Sequence, residues 1–316
     1  MALAGKSSKL DPVIADIADY VAGDQSFSDE AYAVARSCLL DAIACELEAL
    51  DHADCTKLLG PFVPDAVVPK GARVPGTSFE LDPVKAAFDI GTAIRWLDYN
   101  DAWFAADGAH PSDNLGAVIA AADLMARRPF KGVERPTVRD VLTALIKAYE
   151  VQGVLALENS FVALGLDATT LVDVASAAVA TRLLGGDYDQ VANAVSNAWL
   201  DGACPRTFRL GTGTGSRKSW ASGDATSRGM FHALLAVRGE MGYPAALTIA
   251  KNGFNDTIMR CKPIAVPQAY GSYIVENILF KVPFPTEFHA QSATECCVKL
   301  HPLVKDRLDD IRAVHI

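Results

Sequence analysis

The chain is predicted to be mainly α: a large all-α-helical domain over residues 1–250, followed by a smaller, incomplete α+β domain over residues 251–316. Three observations lead there. Apolar residues recur at helical spacing through alanine-rich segments bounded by Gly, Pro and cap residues. From about Lys251 the pattern changes to short β-compatible pieces, residues 264–267, 278–283 and 311–316, around a more helix-like stretch at 288–300. With 316 residues and 50% hydrophobic content, the chain is long enough for a large core and, on length, for two domains.

The elements follow in order. Asp11-Pro12 supplies a cap and a first position for a helix to residue 21. Ser28 opens a longer helix with Val34, Leu39, Leu40, Ile43 and Leu47 on one face. Residues 60–82 carry four prolines and three glycines around Val67-Val68 and read as a shaped loop, because no polar low-complexity run intervenes. Pro83 starts a helix whose apolar positions are Val84, Ala87, Phe88, Ile90, Ile94 and Leu97. An apolar helix over 114–125 takes Ser112 or Asp113 as its cap and ends at Arg127-Arg128-Pro129. Thr137 caps the next, to about residue 156. Helices over 169–184, closed by Gly185-Gly186, and 188–200 come after it. Residues 201–219 break the pattern, and a helix over 219–239 resumes it, with Ser222 and Gly223 permitting close contact.

A net charge of −9 leaves no basic surface for nucleic acid or acidic lipid. Seven cysteines without a C-x-x-C pair read as reduced thiols, with no disulfide, metal centre or iron–sulfur cluster among them. That usage places the chain in the cytoplasm, with the mitochondrion left open. Residues 1–10 are too short and polar for a signal peptide, and no run of about 18 apolar residues predicts a membrane span. No metal and no cofactor are expected.

Chemistry concentrates in residues 96–116. Asp98 and Asp101 sit where the Pro83 helix ends, and carboxylates are unfavourable beside the partial negative charge there. His110, Pro111 and Ser112 follow, just before the next helix start. Three readings stay open: local capping with a structural histidine, an acid–base site, or ligands for a hard cation. The Gly211–Ser219 stretch lacks the Gly directly before Lys that a Walker phosphate loop requires, since Arg217 holds that place. It reads either as a solvated surface loop or as one that brings Arg217 and Lys218 to an anion.

Several blocks of sequence resemble the MmgE/PrpD family, and within it the enzymes that dehydrate 2-methylcitrate. They are Leu-Asp-Tyr-Asn-Asp-Ala-Trp with Gly-Ala-His-Pro-Ser-Asp-Asn-Leu-Gly at 97–116, Leu-Glu-Asn-Ser-Phe at 157–161, Ser-Arg-Lys-Ser-Trp-Ala-Ser-Gly-Asp-Ala-Thr-Ser-Arg at 216–228, Gly-Glu-Met-Gly-Tyr-Pro at 239–244, Tyr-Gly-Ser-Tyr at 270–273 and Phe-Pro-Thr-Glu-Phe-His at 284–289. Their order is the family's, from about residue 10 onward. The resemblance implies a helical domain followed by an α+β domain, a homodimer, a small tricarboxylate substrate, and a cofactor-independent hydro-lyase acting on 2-methylcitrate or a longer 2-alkylcitrate. It implies active-site roles for His110, Asp98 and Lys218, with Arg217, Asp101, Ser112, Lys281 and His289 as further substrate-binding candidates. His110 suits proton transfer near neutral pH, Lys218 and Arg217 suit carboxylates, and Asp98 either orients His110 or bonds a substrate hydroxyl.

The chain departs from that pattern in three places. Ala102 stands where relatives commonly have Thr, and Ala168 where the methylcitrate enzymes commonly have His. Its end, at Ile316, is expected to fall inside a strand, whereas relatives continue. A cis-aconitate-type decarboxylase and a truncated, non-catalytic homologue that binds a tricarboxylate or a partner are the alternative expectations.

Overall fold

The computed structural model describes residues 9–201 and 203–315. The expectations on residues 1–8 and on Ile316 lie outside them. The order is α1 (Pro12–Ala22), α2 (Asp29–Ala49), α3 (Ala53–Thr56), β1 (Ala72–Arg73), β2 (Glu80–Leu81), α4 (Pro83–Trp96), β3 (Trp103–Phe104), β4 (Gly108–Ala109), α5 (Leu115–Arg127), α6 (Val138–Glu158), α7 (Thr169–Leu183), α8 (Tyr188–Leu200), α9 (Arg217–Ala236), α10 (Phe254–Thr257), α11 (Tyr273–Glu276) and α12 (Gln291–Val304). The mainly α expectation is met, and the described strands form only two antiparallel two-stranded ribbons, β1–β2 and β3–β4. No described helix is long and apolar enough to cross a membrane.

Local chemistry sets the starts of several long helices. Ser28 accepts from the Ala31 amide at 3.0 Å. Thr137 and Asp140 form a reciprocal capping box at α6, and Asp187 with Gln190 does so at α8, each satisfying amides that the first turn leaves bare. Asp11 departs from the expected cap: its carboxylate bonds the Leu247 amide and Thr248 Oγ1 instead, tying the chain start to the segment after α9. Neither Ser112 nor Asp113 caps α5. A short 3-10 turn, Pro111–Asn114, precedes it, and both side chains turn inward.

Helix α7 is buried along nearly its whole length, as a helix surrounded by others must be. α4 and α9 approach closely at Gly91 and Gly223. A Cβ on Gly223 would stand 2.2 Å from Thr92 Oγ1 and 2.6 Å from the Phe88 carbonyl oxygen. Gly223→Ala is therefore expected to destabilise the fold by about 1–3 kcal/mol through overpacking, read as a lower midpoint of thermal unfolding.

A buried polar network then locks the Pro111–Asn114 turn against three helices. Asn114 donates to Gln152 of α6 at 2.5 Å, Ser176 of α7 donates to Asn114 at 2.9 Å, and Ser222 of α9 donates to Asp113 at 2.7 Å. Satisfied networks of this kind select one arrangement of a core. His110 immediately precedes the turn, so its backbone is positioned by that network.

Among the described residues beyond 250 the expected strands do not form. Residues 264–266 are held by the side-chain amide of Asn159, which accepts from the Ala265 amide at 2.9 Å and donates to its carbonyl at 2.8 Å, so one side chain replaces a partner strand. The 278–283 piece makes a single isolated bridge, Leu279 with Ala102; the extended residues that follow, Trp103 and Phe104, pair with β4 instead. Residues 311–315 carry no strand. Ile264, Ile274, Val275 and Ile278 pack into the same hydrophobic core as the long helices, while none of the side chains of α12 is buried.

Candidate active site

α4 runs out at Trp96, and the next residues turn sharply. Asp98 adopts a left-handed backbone, φ +58°, a conformation that Asp tolerates better than most residues. Its carboxylate then meets three cations. Arg95 Nη1 lies 2.5 Å from Oδ1, Lys281 Nζ 3.0 Å from Oδ1, and Lys218 Nζ 2.9 Å from Oδ2. Lys281 also donates to the Asp98 carbonyl at 2.7 Å. Burial works to raise the Asp98 carboxyl, but these positive charges, Arg95 foremost, override it and hold the group well below the usual carboxylate range. Asp98 is an ionised anchor.

His110 stands beside it, Nε2 3.9 Å from Asp98 Oδ1. Its Nδ1 is 2.6 Å from the Asp101 carbonyl oxygen. A carbonyl only accepts, so the ring carries its proton on Nδ1 and leaves a lone pair on Nε2. Burial, with the charges of Arg95 and Lys281, pushes the imidazole well below its ordinary value, against the pull of Asp98. At neutral pH it is a neutral base.

Behind it, Asp101 is fully buried and accepts from Ser112 Oγ at 2.8 Å, the Ser112 amide at 3.2 Å and Tyr149 OH at 2.5 Å. Burial raises its carboxyl to about 6 despite those donors. Asp101 and Ser112 thus sit on the protein side of His110, bracing it, and do not line the cavity in front of it. Asp113 does line that cavity. Its carboxyl, raised to about 6 by burial against the pull of Arg95, accepts from Ser222 Oγ at 2.7 Å.

The cavity measures about 280 Å³ and is bordered by Asp98, His110, Lys218, Arg206, Arg209 and Ala168, close to the lower end of small-molecule sites at about 300–1,000 Å³. Arg209 pairs with Asp167 through Nε, and through Nη2 at 3.1 Å; Arg206 Nη1 is 3.6 Å from the same carboxylate. Two carboxylates, Asp98 and Asp167, thereby serve five cations. Glu287, Phe288 and His289 close the rim, where Phe288 packs on Phe104 with ring centroids 4.6 Å apart.

Of the residues expected from the sequence, Asp98, His110, Lys218 and Lys281 converge, and His289 borders the same cavity, largely exposed and 2.8 Å from Glu287. Arg217 does not join them: it lies over Trp220 and Phe208 and lines a neighbouring cavity. Arg95, Asp113, Asp167, Arg206 and Arg209 join the site without having been expected from the sequence. Arg95 has a local signal, its place in the last turn of α4 three residues before Asp98, whereas the pairing of Asp167 with Arg209 is tertiary. An Arg209→Ala variant is expected to weaken binding of a carboxylate ligand by about 10- to 100-fold, the worth of one charged hydrogen bond, measured by calorimetric titration.

Residues 15–266 match the domain described as the MmgE/PrpD N-terminal domain. The chain is 53% identical over 292 residues to a 2-methylcitrate dehydratase of Cupriavidus necator, covering 92% of this chain and 60% of that protein. It is also 53% identical over 294 residues to the 2-methylcitrate dehydratase of Escherichia coli K12, covering 93% of this chain and 61% of that protein. To the protein named "2-methylcitrate dehydratase, mitochondrial" of Yarrowia lipolytica it is 48% identical over 311 residues, covering 97% of this chain and 60% of that one. The chain spans about 60% of the length of these relatives. A domain match over most of the chain and three such relatives place it plainly: it belongs to the MmgE/PrpD family.

Proposed function

We propose that this chain carries the acid–base pocket of a cofactor-independent hydro-lyase that removes water from 2-methylcitrate or a related 2-alkylcitrate. The single observation that supports it best is His110, with Nδ1 pinned to the Asp101 carbonyl and Nε2 left basic beside a cation-bordered cavity. In this reading His110 Nε2 takes the proton from the carbon next to a carboxylate. The electron pair left behind forms the carbon–carbon double bond as the carbon–oxygen bond to the hydroxyl breaks. Lys218 Nζ, aimed by Asp98 Oδ2, gives a proton to the departing hydroxide, which leaves as water. Arg206 and Arg209 hold substrate carboxylates and offset the negative charge that grows as the proton leaves. Asp98, fully ionised and shared among three cations, orders them and donates no proton.

Ala168 borders the cavity where a larger side chain would fill space, which supports a substrate with a longer alkyl group. We propose residues 1–250 and 251–316 as the two domain segments, a homodimer as the assembly, and the cytoplasm or the mitochondrion as the setting; the free cysteines and the name of the Yarrowia relative support the last.

The test is ultraviolet absorbance on mixing the purified chain with 2-methylcitrate, with and without a chelator, because the new double bond conjugates with a carboxylate. A rise in both supports the reading. A rise only without chelator overturns its cofactor independence. A folded chain that produces no rise with 2-methylcitrate or with a panel of alkylcitrates overturns the activity, and turnover of cis-aconitate with release of carbon dioxide would make the chain a decarboxylase instead.

A further inference from the structure

We propose that Asp173 of α7, Asp201 at the end of α8 and His232 of α9 form a divalent-cation site outside the catalytic pocket. Each offers one ligand atom, and all three atoms lie within 4.8 Å of one another. His232 Nε2 is 3.8 Å from Oδ2 of Asp173 and 3.8 Å from Oδ2 of Asp201, beyond hydrogen-bond reach. Ligands held about 2.0–2.2 Å from a metal in a tetrahedral shell stand about 3.3–3.5 Å apart. His232 Nε2 is thus a few tenths of an ångström outside that spacing to each carboxylate, and rotation of the side chains brings the three atoms together around an ion.

A second observation is independent of that spacing. Asp173 is 5% and His232 9% exposed, and Asp173 Oδ1 and His232 Nε2 have no hydrogen-bond partner among the described residues. Buried polar atoms are rarely left so, because each unpaired one costs free energy. One cation bound to both would remove both deficits.

The surroundings suit an ion that exchanges with solvent. Asp173 and Asp201 line a cavity of about 170 Å³ with Asp224 and Arg228. Arg228 bonds Asp201 at 2.6 Å and Asp224 at 3.2 Å, so it keeps Asp224 when Asp201 turns toward a metal. Two oxygens and one imidazole nitrogen favour Mn²⁺, Co²⁺ or Zn²⁺ over thiophilic ions and over Mg²⁺. Asp201 is the root of the segment that carries Arg206 and Arg209 and leads to Lys218. A cation there joins that root to α7 and α9.

The experiment is titration of the chelator-treated full chain with Mn²⁺ by calorimetry and with Co²⁺ by visible absorption, in the wild type and in Asp173→Asn, Asp201→Asn and His232→Gln. Expected are one bound ion per chain, affinity reduced at least about 10-fold in each variant, and a Co²⁺ spectrum free of sulfur charge transfer. That last feature separates the site from the exposed Cys261, Cys296 and Cys297. Asp201→Asn, at a partly exposed position, keeps the comparison interpretable if either buried variant fails to fold. No binding by the wild type, equal affinity in the folded variants, or thiolate-type absorption from the bound Co²⁺ overturns the site.

Discussion

His110→Ala is expected to lower kcat for the proposed dehydration by about 10²- to 10⁴-fold, the usual worth of a positioned general base, with little change in thermal stability. The stability expectation follows from its contacts: the side chain is partly exposed and makes one hydrogen bond, to a carbonyl. The pH profile adds a sharper mark. A free histidine titrates near 6.5, but burial beside Arg95 and Lys281 holds this one well below that value. The base must be deprotonated to act, so kcat/KM should stay level as pH falls through 6.5 and decline only at lower pH. An acidic limb centred near 6.5 would mean that His110 is not the base, or is not so buried.

The largest expected effect on stability comes from Asp98→Asn. Asparagine fits the left-handed backbone at least as well as aspartate, so the substitution removes charge without straining the turn. It leaves Arg95 and Lys281, both nearly fully buried, without their shared carboxylate. Breaking a buried ion pair from one side costs about 3–5 kcal/mol, and denaturant titration at neutral pH reads it directly. Activity should fall with it, because Lys218 loses its aim. Linkage gives a check of sign. The folded carboxyl lies below the unfolded one, near 3.9, so its stabilisation is complete above that value and lost as pH falls toward the depressed folded value. The stability gap between wild type and Asp98→Asn should therefore close in acid.

What was legible in the sequence was local. Thr137 and Pro83 mark helix starts that involve neighbours in the chain, and those helices begin where expected. Strand formation depends on a distant partner. Residues 264–267 and 278–283 read as β-compatible, yet one meets the Asn159 amide and the other a single residue of the 97–110 loop. The site divides in the same way. Two carboxylates at a helix end, where the helix dipole disfavours them, mark Asp98 and Asp101, but only the fold separates the cavity-facing carboxylate from the bracing one. Arg206 and Arg209 sit in a polar break that gives no local reason to rank them above Arg217. Asp167, far from them in sequence, selects them.

The most direct test of His110 as the proton-removing base is proton NMR of the chain with 2-methylcitrate in D₂O. The signal of the hydrogen next to the carboxylate is followed in the wild type and in His110→Ala. Removal of that hydrogen by His110 requires the signal to disappear with the wild type as the alkene forms, and to persist with folded His110→Ala. Equal loss in both proteins, or none in either at concentrations where the substrate is bound, would contradict it.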